Sequence, residues 1–131
     1  MIDIESSVYT KVRQALKAYN SDIDVSGEFV NEPSKFPCVY IEEVDNYAID
    51  LDSGDAEKRA YVTYEVNIYT NNSGKKKSTA KAILDVIDKV LYTYNFTRIA
   101  STPMPNRENT TIYRIVARYR AKTDGNTIYR G

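Results

Sequence analysis

Residues 61–70 read Tyr-Val-Thr-Tyr-Glu-Val-Asn-Ile-Tyr-Thr, and this stretch decides the fold. Val62, Tyr64, Val66 and Ile68 recur at every second position. Tyr61, Thr63, Glu65, Asn67 and Tyr69 fill the positions between. A period of two places these sets on opposite faces of a β-strand, and the β-branched and aromatic content suits a strand. One face is apolar enough for a core. The other mixes tyrosine with polar and charged groups.

The neighbouring segments extend this strand into a sheet. Upstream, residues 38–44 form a second strand. An acidic connection over 45–59, with Gly54 near its middle, makes the two a hairpin with a long tip. Downstream, Asn71-Asn72-Ser73-Gly74 is a turn. A helix follows to about residue 94, with Ala80, Ile83, Leu84, Ile87, Val90, Leu91 and Tyr94 on one face. Residues 96–100 form a short strand, 101–110 a loop carrying Pro103 and Pro105, and 111–121 a long strand. In that last strand Tyr113, Ile115, Ala117, Tyr119 and Ala121 share a side. Arg114, Val116, Arg118 and Arg120 share the other. At the N-terminus, Val8, Val12, Ala15, Leu16 and Tyr19 predict a helix over 7–19, capped by Ser6 or Ser7. Residues 23–30 form a weak strand, and 127–130 a short edge strand or a tail. The order predicts one α+β domain over 1–131: a mainly antiparallel sheet of four to six strands, two helices packed on one face, and a mobile acidic hairpin loop at 45–59.

The 131 residues carry 18 basic and 18 acidic groups, 42% hydrophobic residues and no histidine. That is enough chain for one core without metal or disulfide. Zero formal charge gives no global attraction to nucleic acid or anionic membrane. Without histidine there is no Ser–His or Cys–His nucleophile pair, and the usual zinc ligand sets are missing. The single cysteine, Cys38, lies in the apolar run 36–41 and reads as a small buried hydrophobe. The acidic N-terminal residues lack a signal-peptide pattern, so synthesis and retention in the cytoplasm are expected. No run has the length to span a bilayer.

The search for chemistry returns little. Asp50, Asp52 and Asp55 sit around Gly54 with a passing likeness to a calcium loop, but the glycine is one position early and the twelfth-position glutamate is missing. Adjacent Glu42 and Glu43 point to opposite sides of their strand. None of the five glycines is spaced as a phosphate-binding loop. No catalytic, cofactor-binding or metal residue is expected, and the chain reads as non-enzymatic. Two features stand above this background. Lys75, Lys76 and Lys77 start the second helix against its macrodipole, as a contact for an anionic partner or as a solvated turn. Arg114, Arg118 and Arg120 lie on the second face of their strand, as Tyr61, Glu65, Asn67 and Tyr69 do on theirs, and if these faces coincide one side of the sheet is amphipathic. This arrangement suits cross-strand pairing within one chain or a subunit interface, where Tyr and Arg are enriched. Twelve tyrosines against three phenylalanines and no tryptophan suit half-buried positions. Two helices cover only one side of such a sheet.

These elements resemble the tail terminator (tail completion, head–tail joining) proteins of long-tailed bacteriophages and prophages. The resemblance is carried by an amphipathic N-terminal helix, by Phe36-Pro37-Cys38-Val39-Tyr40-Ile41-Glu42-Glu43, by the strand at 61–70, by the lysine-rich helix start and by Tyr113-Arg114-Ile115-Val116-Ala117-Arg118-Tyr119-Arg120. It spans nearly the whole chain as a pattern of elements. It implies a structural virion subunit that forms a ring, commonly a hexamer. The ring caps the tail tube protein and meets the head connector protein, and DNA passes through its channel without specific binding. The protein would then reside in the host cytoplasm during assembly and at the tail–head junction of the virion afterwards. Asp45, Asp50, Asp52 and Asp55 become candidates for a channel- or tube-facing loop. The arginine row would meet that loop, or Glu42 and Glu65, of the next subunit. Other neck or minor tail components share this class. A stand-alone nucleic-acid-binding domain is the alternative from a different class.

Overall fold

The structure is a computed structural model that describes residues 1–30, 32–51, 54, 57–105 and 109–130. Two helices and six strands follow in the order α1 (Glu5–Tyr19), β1 (Asp24–Ser26), β2 (Cys38–Leu51), β3 (Glu57–Thr70), α2 (Lys76–Thr93), β4 (Thr97–Pro105), β5 (Tyr113–Thr123) and β6 (Ile128–Tyr129). The sheet runs β1-β2-β3-β5-β4, and β6 pairs with the far end of β5. Every pairing is antiparallel except β1 with β2. This is the expected α+β layer, with β3 at its centre.

The alternation in β3 sorts the molecule into two sides. Val62, Tyr64, Val66 and Ile68 are fully buried, and across the ladder they meet Ala121, Tyr119, Ala117 and Ile115 of β5. Over them lie Val8, Val12 and Leu16 of α1 and Ala80, Ile83, Ile87 and Leu91 of α2, with the two helices packed beside each other. Fully burying one such aliphatic side chain contributes roughly 1.5–3 kcal/mol, so this layer dominates stability. Tyr64 and Tyr119 put rings into the core but keep their hydroxyls bonded, donating to Glu43 Oε1 (3.2 Å) and Asp88 Oδ1 (3.0 Å).

Several expectations need correction. The acidic 45–59 segment is mostly strand: Asp45 pairs with Thr63 and Leu51 with Glu57. Alternation fails in the sequence because Val44 is an extra residue, a bulge between Glu43 and Asp45. Beyond it Tyr47 stands opposite Tyr61, with the phase of the strand reversed. Strand β4 likewise runs on to Pro105, through residues read as a loop, with a bulge at Ile99. Prolines are tolerated there because β4 pairs only with β5, so one side of its backbone needs no ladder donor. Helix α1 starts at Glu5, before both predicted serine caps. Asp3 Oδ1 accepts from the Glu5 N–H at 3.0 Å in their place. Tyr19 of the predicted apolar stripe is exposed.

Helix α2 ends in a Schellman motif: the Phe96 N–H bonds to the Leu91 carbonyl and the Asn95 N–H to the Tyr92 carbonyl. Asn95 takes the left-handed conformation at φ 67° that this closure requires. Its amide also donates to the Ile128 carbonyl, and Arg130 reaches the Tyr92 carbonyl at 3.0 Å. The end of α2 thereby holds the C-terminal strand. Among the described residues no helix is long and apolar enough to cross a membrane. Replacing Asn95 with valine forces a β-branched residue to positive φ, and chemical denaturation will show a loss of about 1–2 kcal/mol, whereas Asn95→Gly will lose less.

Candidate functional site on the open sheet face

The face of the sheet away from the helices carries most of the sequence-predicted site residues. They are held first by contacts within the chain. Arg114 and Arg118 of β5 point across to Asn67 and Glu65 of β3. Arg114 donates from Nε and Nη2 to Asn67 Oδ1 at 2.9 and 2.6 Å. Asn67 Nδ2 donates to Glu65 Oε1 at 3.0 Å, and Glu65 Oε2 accepts from Nε and Nη2 of Arg118 at 3.1 and 2.9 Å. The result is a connected chain, Arg114–Asn67–Glu65–Arg118, in which the fully buried Asn67 is the link. The sequence offered no signal for Asn67 beyond its alternation. A complete buried polar network fixes register, while a half-satisfied one destabilises. The network also explains how Glu42 and Glu65, directly opposite each other in the ladder, coexist: the Arg118 cation offsets their repulsion.

One end of this face is covered by the chain itself. Cys38, Tyr40 and Tyr69 are buried in a second small cluster with Val30, Phe36 and Ile112 against them. Tyr69 donates to the Val30 carbonyl at 3.3 Å and lies under the Arg114 guanidinium. Tyr69, expected at an interface, therefore belongs to an internal cluster. Phe29 packs edge-on against Tyr40 with ring centroids 5.6 Å apart, yet stays 61% exposed. Burial pushes the Cys38 thiol up to about 11, with the Asp24 carboxylate adding to the effect.

The other end is open. There the two bulges face each other across the sheet and bound a hollow of about 380 Å³. Val44 and Tyr47 stand on the β2 side and Ile99 on the β4 side; Thr63, Arg118 and Arg120 form the floor. Val44, Tyr47 and Ile99 are 40%, 44% and 51% exposed, which is high for apolar side chains grouped together. Met104, also exposed, lies further along β4 opposite Arg114. Tyr61 packs against Tyr47 at 5.5 Å and lies beneath the Arg120 guanidinium at 5.0 Å and the Lys122 ammonium at 5.9 Å. Arg120 Nε is buried and has no hydrogen-bond partner among the described residues. Asp45, expected in a loop, lies on β2 at the edge of the hollow. Asp50 lies on β2, and Asp52 and Asp55 fall outside the described residues.

The lysine run is divided. Lys76 donates to the Thr110 carbonyl at 2.7 Å and ties the start of α2 to the segment before β5, while Lys75 and Lys77 are exposed. A carboxylate group the sequence did not single out, Asp3, Glu5 and Glu43, converges at the N-terminus of α1 within 4.8 Å. Glu5 accepts from the Glu43 backbone N–H at 2.9 Å, and Glu43 accepts from Tyr64 and from Asn46 Nδ2. Desolvation holds the Glu43 carboxyl above its usual range, and the nearby Glu5 and Asp3 charges add to this against those two hydrogen bonds. These contacts complete the α1 start and the sheet edge. The chain matches no protein-family model and no curated protein.

Two outcomes follow. A raised folded-state pKa means that Glu43 favours folding most when protonated, and that its contribution falls as pH climbs through the unfolded value toward the folded one. Glu43→Gln keeps both acceptor contacts and removes the charge. It will unfold at higher denaturant than the parent at about pH 7, and the difference will shrink at about pH 4. The Cys38 thiol will stay unreactive to an aromatic disulfide at about pH 8 until denaturant unfolds the chain, since thiolate is the reacting form.

Proposed function

We propose that this protein is a structural subunit that works by docking its open sheet face onto other copies of itself and onto neighbouring proteins, in the manner of phage tail terminators. The carrying observation is the open end of that face, where Val44, Tyr47 and Ile99 remain exposed beside Arg118 and Arg120. Apolar and arginine-rich surface of this kind is the composition of an interface core. The resemblance in element order supplies the rest of the reading: a ring, expected as a hexamer, that caps a tail tube and meets a head connector around a DNA channel. The histidine-free composition and the engagement of Glu43 and Glu65 by chain-internal partners favour an assembly role over catalysis.

The charge row acts differently from a simple intersubunit ion-pair set. Arg118 and Glu65 already satisfy each other, so reversing Arg118 would disturb the fold before it reported on assembly. Ile99→Asp avoids this, because Ile99 is exposed and takes no part in the arginine–glutamate network. Sedimentation velocity and negative-stain microscopy of concentrated protein will show rings, and Ile99→Asp will dissociate them with an unchanged circular dichroism spectrum. A parent protein that stays monomeric at about 100 times the concentration typical of micromolar self-association would contradict the reading. Salt-sensitive binding of single-stranded DNA to a monomer, by stacking on Tyr47 and Tyr61 beside Arg120 and Lys122, would replace it with the nucleic-acid alternative.

A further inference from the structure

The open face carries a protruding group as well as a hollow. Phe29 stands 61% exposed on the turn after β1, between exposed Glu28 and half-buried Val30. The turn is shaped by its own bonds, with the Glu28 N–H donating to Ser26 Oγ at 3.1 Å, and Phe29 is propped from below by the Tyr40 ring. An aromatic ring held in this way loses little conformational entropy when it is buried. Glu28 puts a carboxylate beside it.

The hollow has the complementary character. Val44, Tyr47 and Ile99 offer an apolar wall, and Arg120 offers a guanidinium whose buried Nε lacks an acceptor. A buried donor left unpaired is destabilising until an acceptor arrives. Within the floor, Arg118 is already taken by Glu65, whereas Arg120 stands over the Tyr61 ring and has no ion pair among the described residues. Asp45 on the rim limits this attraction and gives an incoming acidic group a reason to approach from the β5 side.

The protruding ring and the hollow lie on the same sheet face but at opposite ends of β2, near Tyr40 and Tyr47 respectively. Seven residues of strand separate those positions by roughly 20 Å. Phe29 packs on Tyr40 and is not among the residues that line the hollow of its own chain. We infer that the Glu28–Phe29 turn of a second copy of this chain occupies the hollow between Val44 and Ile99, its ring against the apolar wall and its carboxylate on Arg120. This rests on the reading that the protein assembles with copies of itself, and it names the contact. The two patches differ: used reciprocally they close a two-fold pair, and used in succession they build a ring.

The test is sedimentation equilibrium on the full chain and on Phe29→Ala, Glu28→Arg, Arg120→Glu and the double swap Glu28→Arg with Arg120→Glu, each checked for an unchanged melting transition. Phe29→Ala and Glu28→Arg will weaken self-association by at least about tenfold, as loss of a central aromatic or charged anchor does. The double swap will recover most of the loss that either charge change causes alone. Should Arg120→Glu fold poorly, the two turn variants decide the matter, because both residues are exposed. Self-association that is unchanged in Phe29→Ala and Glu28→Arg overturns this contact and leaves the assembly reading standing. A parent chain that never self-associates overturns both.

Discussion

Strand β3 carries the architecture because its alternation is read twice. Its even-numbered residues complete the helix-covered core, and its odd-numbered residues anchor the arginines of β5. Neither role tolerates a slip. Moving the β3–β5 register by one residue would turn Val62, Tyr64, Val66 and Ile68 toward solvent and leave Asn67 and Glu65 facing the helices. The apolar side supplies most of the free energy, and the Arg114–Asn67–Glu65–Arg118 chain selects which register uses it. An exposed ion pair alone is worth about 0–1 kcal/mol. Here the pair matters more for position, because Glu65 and Asn67 are largely covered and would be costly to leave unpaired.

From that central strand the two bulges acquire their meaning. A bulge interrupts pairing and re-aims a side chain. Val44 and Ile99 occupy such positions on strands β2 and β4, on either side of the β3–β5 pair, and both are exposed beside the same hollow. The result is a sheet face with two unlike ends. Near Tyr40 the chain covers itself with Val30, Phe36 and Ile112. Near Tyr47 it leaves apolar side chains exposed, with the Arg120 guanidinium over the Tyr61 ring beside them. A face so divided gives one chain both a protrusion and a recess.

Much of this was legible in the sequence where a single period persisted. The burial of Val62–Ile68 and Ile115–Ala121, the helix stripes and the opposed arginine row all follow from spacing. The long hairpin escaped because one inserted residue, Val44, reverses the phase and makes 45–51 look irregular. The extension of β4 escaped because Pro103 and Pro105 mimic a loop signal unless the strand is known to be an edge. Partner choice was legible only in kind: Arg and Glu on one face suggested pairing, but spacing does not say that Asn67 would join Arg114 to Glu65, or that Tyr69 would be roofed by Val30. Phe29 and the carboxylates of Asp3, Glu5 and Glu43 meet through tertiary contacts that leave no local pattern.

An account built on one uncovered face is tested most directly by asking which face loses solvent when the protein is concentrated. Hydroxyl-radical footprinting of dilute and concentrated samples reads this at the exposed side chains. Phe29, Tyr47 and Ile99 report on the sheet face, and Tyr19 and Tyr92 on the helices. Protection of Phe29, Tyr47 and Ile99, with Tyr19 and Tyr92 unchanged, is the predicted result. Protection of Tyr19 and Tyr92 with the sheet face still fully reactive would show that the helical layer makes the contact and that the open face has another purpose.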